Sequence, residues 1–305
     1  MPLKLKNFSI EQFNRDVNES HDPAANYTHW AAYRTEIGGL LSGNFGNSIV
    51  LGAGALNDVN LPLLCGASKR VMLADIDTDA VERGIARQAL LDEQRQKIEI
   101  MRCDLSGAER ARLFERLEEE VLRKISADDF ALKMTEILAG MTPEISLRRE
   151  TFDLVLSCPV YTQLVYTQIE VLLKILFASG IYEYDDLNRI LIAAHRGMSG
   201  VLHKYNEKML ELLSPGGRLV VLTDILEIPT IDPRLPALSE QIARGYNDGE
   251  PLNSLIEENG LELPINALAR LEESLDETET RLFLWPFETE KQFVVKSLSG
   301  KKQAR

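Results

Sequence analysis

The residues of this sequence best suited to ligand chemistry are two glycines and one acid that follow apolar runs. Gly52 and Gly54 come directly after the run Ile49–Leu51, and they lack the β-carbons that would keep a ligand away from the backbone. Asp75 ends a second apolar run about 20 residues later, where an acid that accepts hydrogen bonds from ribose hydroxyls is expected. The spacing therefore predicts a nucleotide site, with a plain tight turn and a helix-capping role for Asp75 as the alternatives.

Apolar strands that alternate with helical segments must position these residues. The chain begins as β-α-β-α-β, in which Asn57 and Asp58 could cap the first helix and Asp104 ends the third strand. A fourth strand, Phe152–Ser157, is stopped by Pro159, which leaves the backbone near Ser157 at an opening. Such apolar strands are typical of a parallel sheet covered on both faces. The remaining predicted strands are 218–224 and a terminal hairpin formed by 281–287 and 291–296.

Two helical regions are predicted outside this alternation. Residues 1–46 are expected to form a helical lid or brace that begins with a capping-box pattern at Ser9–Gln12, and residues 47–305 the main domain. Within that domain, residues 105–150 have the pattern of a helical surface insertion, which would be either a solvated excursion or part of an active-site cover or a dimer contact. Trp30 could wall a substrate pocket, although an aromatic residue at helical spacing also suits packing in a core.

Composition and charge narrow the range of partners. A formal net charge of -13 opposes binding to nucleic acid, because that affinity comes mainly from Lys and Arg displacing counterions. Cys65, Cys103 and Cys158 follow neither a disulfide framework nor zinc-site spacing, so no metal is predicted. No run approaches the ~18 apolar residues of a membrane span, and Met1–Phe13 lacks a signal-peptide pattern. We therefore expect no membrane contact and a cytoplasmic location.

In this order, the segments resemble the class I S-adenosylmethionine-dependent methyltransferases. Val50–Gly54 is similar to the first motif of that family, Asp75 to its ribose-binding acid, and Cys103–Leu105 to its adenine-contacting segment. Phe152–Ser157 and Leu213–Leu219 are similar to its fourth motif and to the turn before its fifth strand. The resemblance implies an α/β fold with a Rossmann-like seven-stranded sheet, and S-adenosylmethionine as cofactor. The candidate cofactor-binding residues are then Gly52, Ala53, Gly54, Asn57, Asp58, Asp75, Ile76, Asp104, Leu105 and Ser157.

Some positions depart from the family pattern. Val50 stands where the first motif usually begins with an acid, which Asp58 could partly replace, and Leu56 stands where a third glycine is usual. The stretch Gly54–Asp58 resembles a bacterial branch that implies no particular acceptor. Ser157–Tyr161 differs from the Asn-Pro-Pro-Tyr motif of enzymes that methylate amino groups of nucleic acids. The expected acceptor is therefore a small molecule or a protein side chain.

The residues that would meet the acceptor are less strongly indicated. Methyl transfer requires alignment and exclusion of water but no catalytic triad. His195 and His203 are candidate bases, Tyr161 is a candidate positioning hydroxyl, and these three join Trp30 as candidate substrate-binding residues, with surface or packing roles as the alternatives. Two other functions remain open, an NAD-dependent oxidoreductase and a catalytically inactive cofactor-binding or scaffold protein on the same fold.

Overall fold

Seven strands form a single sheet in the computed structural model, which describes residues 9–20, 23–245 and 249–303. In chain order the strands are β1 (Phe45–Leu51), β2 (Ser68–Asp75), β3 (Ile98–Arg102), β4 (Phe152–Ser157), β5 (Leu213–Pro229), β6 (Leu275–Trp285) and β7 (Lys291–Lys302). Their order across the sheet is β3-β2-β1-β4-β5-β7-β6. The first five strands pair in parallel, whereas β7 runs antiparallel to both β5 and β6.

This strand order confirms the predicted fold class. Five parallel strands followed by an antiparallel hairpin form the mixed, Rossmann-like sheet of the class I methyltransferases. Sequence patterns placed the strands correctly but made the last three too short. Strand β5 continues past the predicted end at Asp224 to Pro229, because it pairs with β7 as far as Lys291.

Helices connect the strands and cover the sheet. In chain order they are α1 (Ile10–Ser20), α2 (Pro23–His29), α3 (Ala31–Leu40), α4 (Leu61–Ala67), α5 (Thr78–Arg87), α6 (Asp92–Arg95), α7 (Ala108–Ala111), α8 (Leu113–Leu122), α9 (Ala127–Gly140), α10 (Tyr166–Ala178), α11 (Tyr184–Leu212), α12 (Leu235–Ala243), α13 (Leu252–Asn259) and α14 (Glu262–Glu272). Within residues 9–20, 23–245 and 249–303, no helix has the length and apolar character needed to cross a bilayer.

The helix after the glycine turn begins later than the sequence suggested. Its N-cap is Asn60, whose side chain accepts a hydrogen bond from the Leu63 N–H at 3.1 Å. Asn57 and Asp58 lie before that position, so the predicted capping role is wrong for both. The Asn57 side chain instead accepts a hydrogen bond from the Arg87 guanidinium at 2.8 Å. The turn is therefore tied to α5 as well as to the helix that follows it.

The helices between residues 105 and 150 pack into the core, so the expectation of a solvated surface excursion is wrong. Ser126 caps α9 by accepting a hydrogen bond from the Asp129 N–H at 3.1 Å. The α9 side chains of Phe130 and Leu138 are fully buried. On α11, a β-carbon added at Gly197 would lie 2.8 Å from the Leu138 side chain, so the two helices contact closely only because that position is glycine. This segment therefore stabilises the long helix behind β4 and β5.

The helices before β1 divide the predicted lid into two parts. Helix α1 is capped as its sequence predicts, since the Gln12 N–H donates to Ser9 Oγ at 3.0 Å. Helix α3 is a brace, because it buries Tyr33 and Ile37 against the sheet. The boundaries predicted for the lid and the main domain include residues 1–8, 21–22, 246–248 and 304–305, which lie outside the described residues.

Candidate functional site

The turn after β1 requires glycine for two different reasons. Gly52 has a φ of 72°, and a β-carbon there would lie 2.1 Å from Val160 Cγ1, so the segment after β4 can approach only a glycine. Gly54 has a φ of 45°, and the nearest atom to an added β-carbon would be Asn18 Oδ1 at 3.6 Å. Gly52 thus permits close packing, whereas Gly54 leaves open space above the turn.

Asp75 holds this turn from the end of β2. Its Oδ2 accepts a hydrogen bond from the Gly54 N–H at 2.8 Å, and its Oδ1 accepts one from the Asp77 N–H at 2.8 Å. Burial raises the pKa of Asp75 to about 6, and these backbone donors partly oppose the shift. Helix α5 is capped by Asp77, which accepts from the Ala80 N–H at 3.1 Å, so the alternative role of Asp75 as the cap is wrong.

A cavity lies beside the turn and Asp75, and we name it the first cavity. It lies at the carboxyl ends of β1, β2 and β3, which is where open parallel sheets bind ligands. Its walls combine backbone at the glycines, carboxylates and apolar side chains. The predicted cofactor residues that line it are Gly52, Gly54, Asp75, Ile76, Asp104 and Leu105.

A second cavity adjoins the first, and we name it the aromatic cavity. Trp30, Trp285 and Phe287 form its apolar wall, in which the Trp30 and Trp285 rings meet edge to face with centroids 4.8 Å apart. Of the predicted residues, Ala53, Asn57 and Asp58 also line it. The two cavities are contiguous, because both are lined by Asn18, Gly52, Gly54, Val160 and Gln163.

Helix α1 covers the first cavity, which it lines with Asn14 and Asn18. Asn18 Nδ2 donates to Asp77 Oδ2 at 2.9 Å, and Glu11 pairs with Arg102 at 2.7 Å. The ion pair is partly exposed to solvent, so we expect it to contribute at most about 1 kcal/mol. Arg15 on the same helix lies 3.7 Å from Asp79, and Ile10 is buried in the core, so both polar and apolar contacts hold α1 over the opening of the first cavity.

Asp104 lines the first cavity, but its carboxylate is occupied by the loop that follows it. The carboxylate accepts hydrogen bonds from the Ser106 N–H at 2.9 Å, the Gly107 N–H at 3.0 Å and the Glu109 N–H at 2.8 Å. The Ser106 hydroxyl also donates to it at 2.6 Å. A ligand would therefore contact this segment through its backbone and through Leu105 more than through the Asp104 carboxylate.

Asp58 is a buried acid at the aromatic cavity. Burial raises its pKa to about 6, while a hydrogen bond from Cys158 and the charge of Arg34 partly oppose this shift. Arg34 is fixed nearby, because its Nη1 donates to the Asn57 carbonyl at 2.7 Å. Asp58 is thus an acid whose charge responds to small changes in its surroundings.

Ser157 and His203 do not line either cavity. Ser157 is fully buried, and its hydroxyl is hydrogen-bonded to the Tyr205 hydroxyl at 3.0 Å. His203 is exposed on α11 with its Nε2 3.4 Å from a Glu207 carboxylate oxygen. The arrangement gives Ser157 a structural contact behind the fourth strand, and it leaves His203 at the surface.

Tyr161 and His195 line a third cavity of about 350 Å³, which we name the apolar cavity. It lies between the segment after β4, the middle of α11 and residues 256–264. Tyr161 donates its hydroxyl hydrogen to Asn206 Oδ1, and burial lowers the pKa of His195. The four predicted substrate residues are thus dispersed, with Trp30 at the aromatic cavity, Tyr161 and His195 at the apolar cavity, and His203 at neither.

The unpredicted residues that line the first and aromatic cavities include Asn14, Asn18, Gln163, Trp285 and Phe287. Asn14 and Asn18 are four residues apart in α1, and that spacing indicated a shared helix face. Gln163 lies in the stretch after β4, two residues beyond Tyr161. Trp285 and Phe287 carried no such signal, because their place beside Trp30 depends on where the sheet puts the terminal hairpin.

Solved structures with a similar fold include S-adenosylmethionine-dependent methyltransferases. One from Methanosarcina mazei is 10% identical, with 88% of this chain and 97% of the other covered and a TM-score of 0.41. One from Thermotoga maritima is 11% identical, with 95% and 98% covered and a TM-score of 0.40. An O-methyltransferase family protein from Burkholderia thailandensis is 11% identical, with 96% and 63% covered and a TM-score of 0.42. No protein-family model matches the sequence, and no curated protein matches it.

Sequence identities and TM-scores this low do not identify an activity. The fold is defined by the sheet itself. The strand order, the antiparallel β7 and the glycine turn after β1 give this chain the fold of a class I methyltransferase. Gly54 and Asp75 meet at the carboxyl edge of that sheet.

Proposed function

We propose that this protein is an enzyme that binds S-adenosylmethionine across the first and aromatic cavities and transfers its methyl group to a small molecule or a protein side chain. One observation carries the proposal. The open glycine at position 54 and the carboxylate of Asp75 are joined by a 2.8 Å hydrogen bond at the edge of the first cavity. That pair offers a ribose both close access to the backbone and a charged acceptor.

The residues at the two cavities suit the chemical groups of this cofactor. Each Asp75 oxygen accepts one backbone N–H and has further capacity to accept a ribose hydroxyl. Ile76 and Leu105 offer apolar contacts to an adenine ring. In the adjoining aromatic cavity, Asp58 can pair with an ammonium group, and the face of Trp30 attracts positive charge.

When bound, S-adenosylmethionine supplies a methyl group on a positively charged sulfur that is already an activated leaving group. The residues of this chain then have to align the acceptor and exclude water. Asn18 on α1 closes the first cavity, and the aromatic wall shields the second. Val160 and Gln163 line both cavities, so they flank the place where donor and acceptor would be aligned.

Isothermal titration calorimetry tests the cofactor directly. We expect S-adenosylhomocysteine, the product of methyl transfer, to bind with a Kd of about 10 μM or below, equivalent to roughly 7 kcal/mol. NAD should give no heat of binding under the same conditions. Tight NAD binding without a response to S-adenosylhomocysteine would favour the oxidoreductase and contradict the proposal.

The acceptor is proposed to be a small molecule or a protein side chain and not a nucleic acid. The formal net charge of -13 supports this, because a polyanion would be repelled by an acidic surface. The sequence after β4, Ser157–Tyr161, also lacks the amide of the base-methylating motif. The alternative function, a scaffold protein on the same fold, would give a different result in an acceptor screen. Such a protein would bind the cofactor but would methylate no acceptor.

Cofactor affinity should fall in acid because two carboxylates at the site have pKa values raised to about 6. Burial raises the pKa of both Asp75 and Asp58 to about 6, so Asp75 is mostly ionised at pH 7 and mostly protonated at pH 5. A protonated Asp75 is a weaker acceptor for ribose hydroxyls. We expect the affinity for S-adenosylhomocysteine to fall about tenfold from pH 7 to pH 5, as measured by calorimetry.

The stability of the free protein should change in the opposite direction. The pKa of Asp75 is higher in the folded chain than the ordinary value of about 3.9, so the folded chain retains the proton more strongly. The contribution of Asp75 to the free energy of unfolding therefore falls as pH rises from about 4 to about 6. Thermal unfolding at each pH separates this effect on stability from acid denaturation. For the predicted loss of cofactor affinity, an affinity that does not change from pH 7 to pH 5 would contradict it.

A further inference from the structure

The apolar cavity is separated from the proposed cofactor site by the segment after β4. Leu164 lines both the first cavity and the apolar cavity, and Tyr161 lines the apolar cavity from the same segment. The Tyr161 hydroxyl donates to Asn206 on α11, and Thr162 donates its hydroxyl hydrogen to Asp224 on β5 at 2.9 Å. These contacts fix the segment in place, so a molecule in the apolar cavity is a separate ligand and not a methyl acceptor.

The deep part of the apolar cavity is lined by buried aliphatic side chains. Met198, Val201 and Leu202 line it from α11 and Val165 from the segment after β4, and each of these residues is at most 4% exposed. The cavity volume of about 350 Å³ is within the range of small-molecule sites, roughly 300–1,000 Å³. Ordered water needs polar partners that such side chains do not offer. An apolar molecule would instead supply the dispersion contacts that the buried side chains lack on this side.

His195 gives this apolar lining a polar group without a partner. Its Nε2 is buried and has no hydrogen-bond partner among the described residues. Burial lowers the pKa of His195, so the imidazole is neutral at pH 7, with one ring nitrogen that donates and one that accepts. A buried polar atom without a partner costs free energy, which a ligand can recover by binding to it. A hydroxyl group suits either tautomer, because it can both donate and accept.

The charges of the lining lie at its rim and not in its interior. Glu257, Glu258 and Glu262 are exposed, and Arg234 lies 2.7 Å from Glu258. Water screens such exposed carboxylates, so they offer little to a charge held deeper in the cavity. The described residues that line the cavity include no Lys or Arg, so a carboxylate ligand would also find no partner inside. A charged group would lose its hydration there without compensation, so the lining favours an uncharged ligand.

We propose that the apolar cavity is a second ligand site, which binds an uncharged, apolar small molecule that carries one hydroxyl group. The apolar part of this ligand contacts the buried side chains of α11, and its hydroxyl group is hydrogen-bonded to His195 Nε2. The ligand packs against the segment after β4, whose Leu164 also lines the first cavity. This inference goes beyond the proposed function and holds whether or not the protein transfers methyl groups.

Three ligands that share one apolar part test the ligand class. 3-Phenylpropanol, propylbenzene and 3-phenylpropanoate are titrated at pH 7 by ligand-observed NMR, with and without saturating S-adenosylhomocysteine. We expect 3-phenylpropanol to bind with a Kd of about 0.1 mM or below, about fivefold more tightly than propylbenzene because of one hydrogen bond. It should bind at least about tenfold more tightly than the carboxylate. Absence of binding, equal affinity for the carboxylate, or displacement by S-adenosylhomocysteine would overturn the proposal.

Two histidine variants on the same helix test the hydrogen bond. His195→Phe keeps a ring in the lining but removes its nitrogen atoms, so we expect 3-phenylpropanol and propylbenzene to bind with affinities within about twofold of each other. His203→Phe makes the same change at an exposed position of α11 and should leave the preference at about fivefold. A preference that His195→Phe leaves unchanged, or that both variants lose equally, would contradict the role given to His195.

A cavity-filling variant tests the location of the site. Leu263 lines the apolar cavity and is only partly buried, so Leu263→Trp should fill the space and abolish binding of 3-phenylpropanol. Leu210 is also partly buried against the core but does not line this cavity, so Leu210→Trp should retain the affinity. Thermal unfolding shows whether each variant is folded, and the His195→Phe comparison decides the assignment if Leu263→Trp is not. Full affinity in a folded Leu263→Trp protein, or equal losses in both tryptophan variants, would overturn the proposal.

Discussion

Replacing Gly54 with valine is expected to lower the affinity for S-adenosylhomocysteine by about a hundredfold or more, equivalent to roughly 2.7 kcal/mol. A side chain at this position would enter the space where the first and aromatic cavities meet, 3.6 Å from Asn18 Oδ1. It would occupy the approach of the ligand to the backbone and displace α1. Calorimetry gives the affinity, and thermal unfolding shows whether the variant is folded.

Gly180 provides a matched control for backbone strain. Gly54 has a φ of 45° and Gly180 a φ of 63°, so valine is strained at both positions, by roughly 1–2 kcal/mol. An added β-carbon at Gly180 meets no described atom within 4 Å, and this glycine lies between α10 and α11. We expect Gly54→Val and Gly180→Val to lose similar stability, whereas only Gly54→Val loses binding. Equal affinities in the two variants would show that the open space at Gly54 is not used by the ligand.

The Asp75→Ala variant is expected to bind S-adenosylhomocysteine at least about tenfold more weakly, because charge-assisted hydrogen bonds contribute about 1.5–3 kcal/mol. The carboxylate accepts hydrogen bonds from the Gly54 and Asp77 N–H groups, so its loss also loosens the turn. Calorimetry measures the affinity, and chemical unfolding measures the structural cost.

A variant at Asp153 separates the loss of cofactor affinity from the loss of stability. The Asp153 carboxylate accepts hydrogen bonds from the Gly46 N–H at 2.8 Å and the Asn47 N–H at 3.0 Å. It therefore holds two backbone donors as Asp75 does, but at the start of β1 and β4 instead of their carboxyl ends. We expect Asp153→Ala to lose stability without loss of affinity. An Asp75→Ala variant with wild-type affinity would restrict Asp75 to holding the turn.

Residue patterns within short stretches of the chain were sufficient to predict the fold and the centre of the site. Apolar runs such as Phe152–Ser157 predicted parallel strands, because a strand covered on both faces must be apolar throughout. The spacing of Gly52, Gly54 and Asp75 predicted their meeting, because parallel strands bring their carboxyl ends to one edge.

Side-chain partners were harder to predict than strands. Asn57 and Asp58 have the residue types of helix caps, yet Asn60 caps α4 and Asn57 binds Arg87. Asp104 lies at the predicted edge, but its carboxylate is taken by local N–H groups. A short polar side chain can satisfy several nearby donors, and the backbone path of the loop decides which one it reaches.

The sequence by itself determined the individual strands and helices, the glycine turn and the acid beside it. Each of these depends on residues close together along the chain. The tertiary structure decided what surrounds them. Trp285 and Phe287 reach Trp30 only because β6 is placed at the far edge of the sheet beside α3. Contacts between residues so distant in sequence are set by how apolar faces are buried together, and no single stretch of the chain encodes that arrangement.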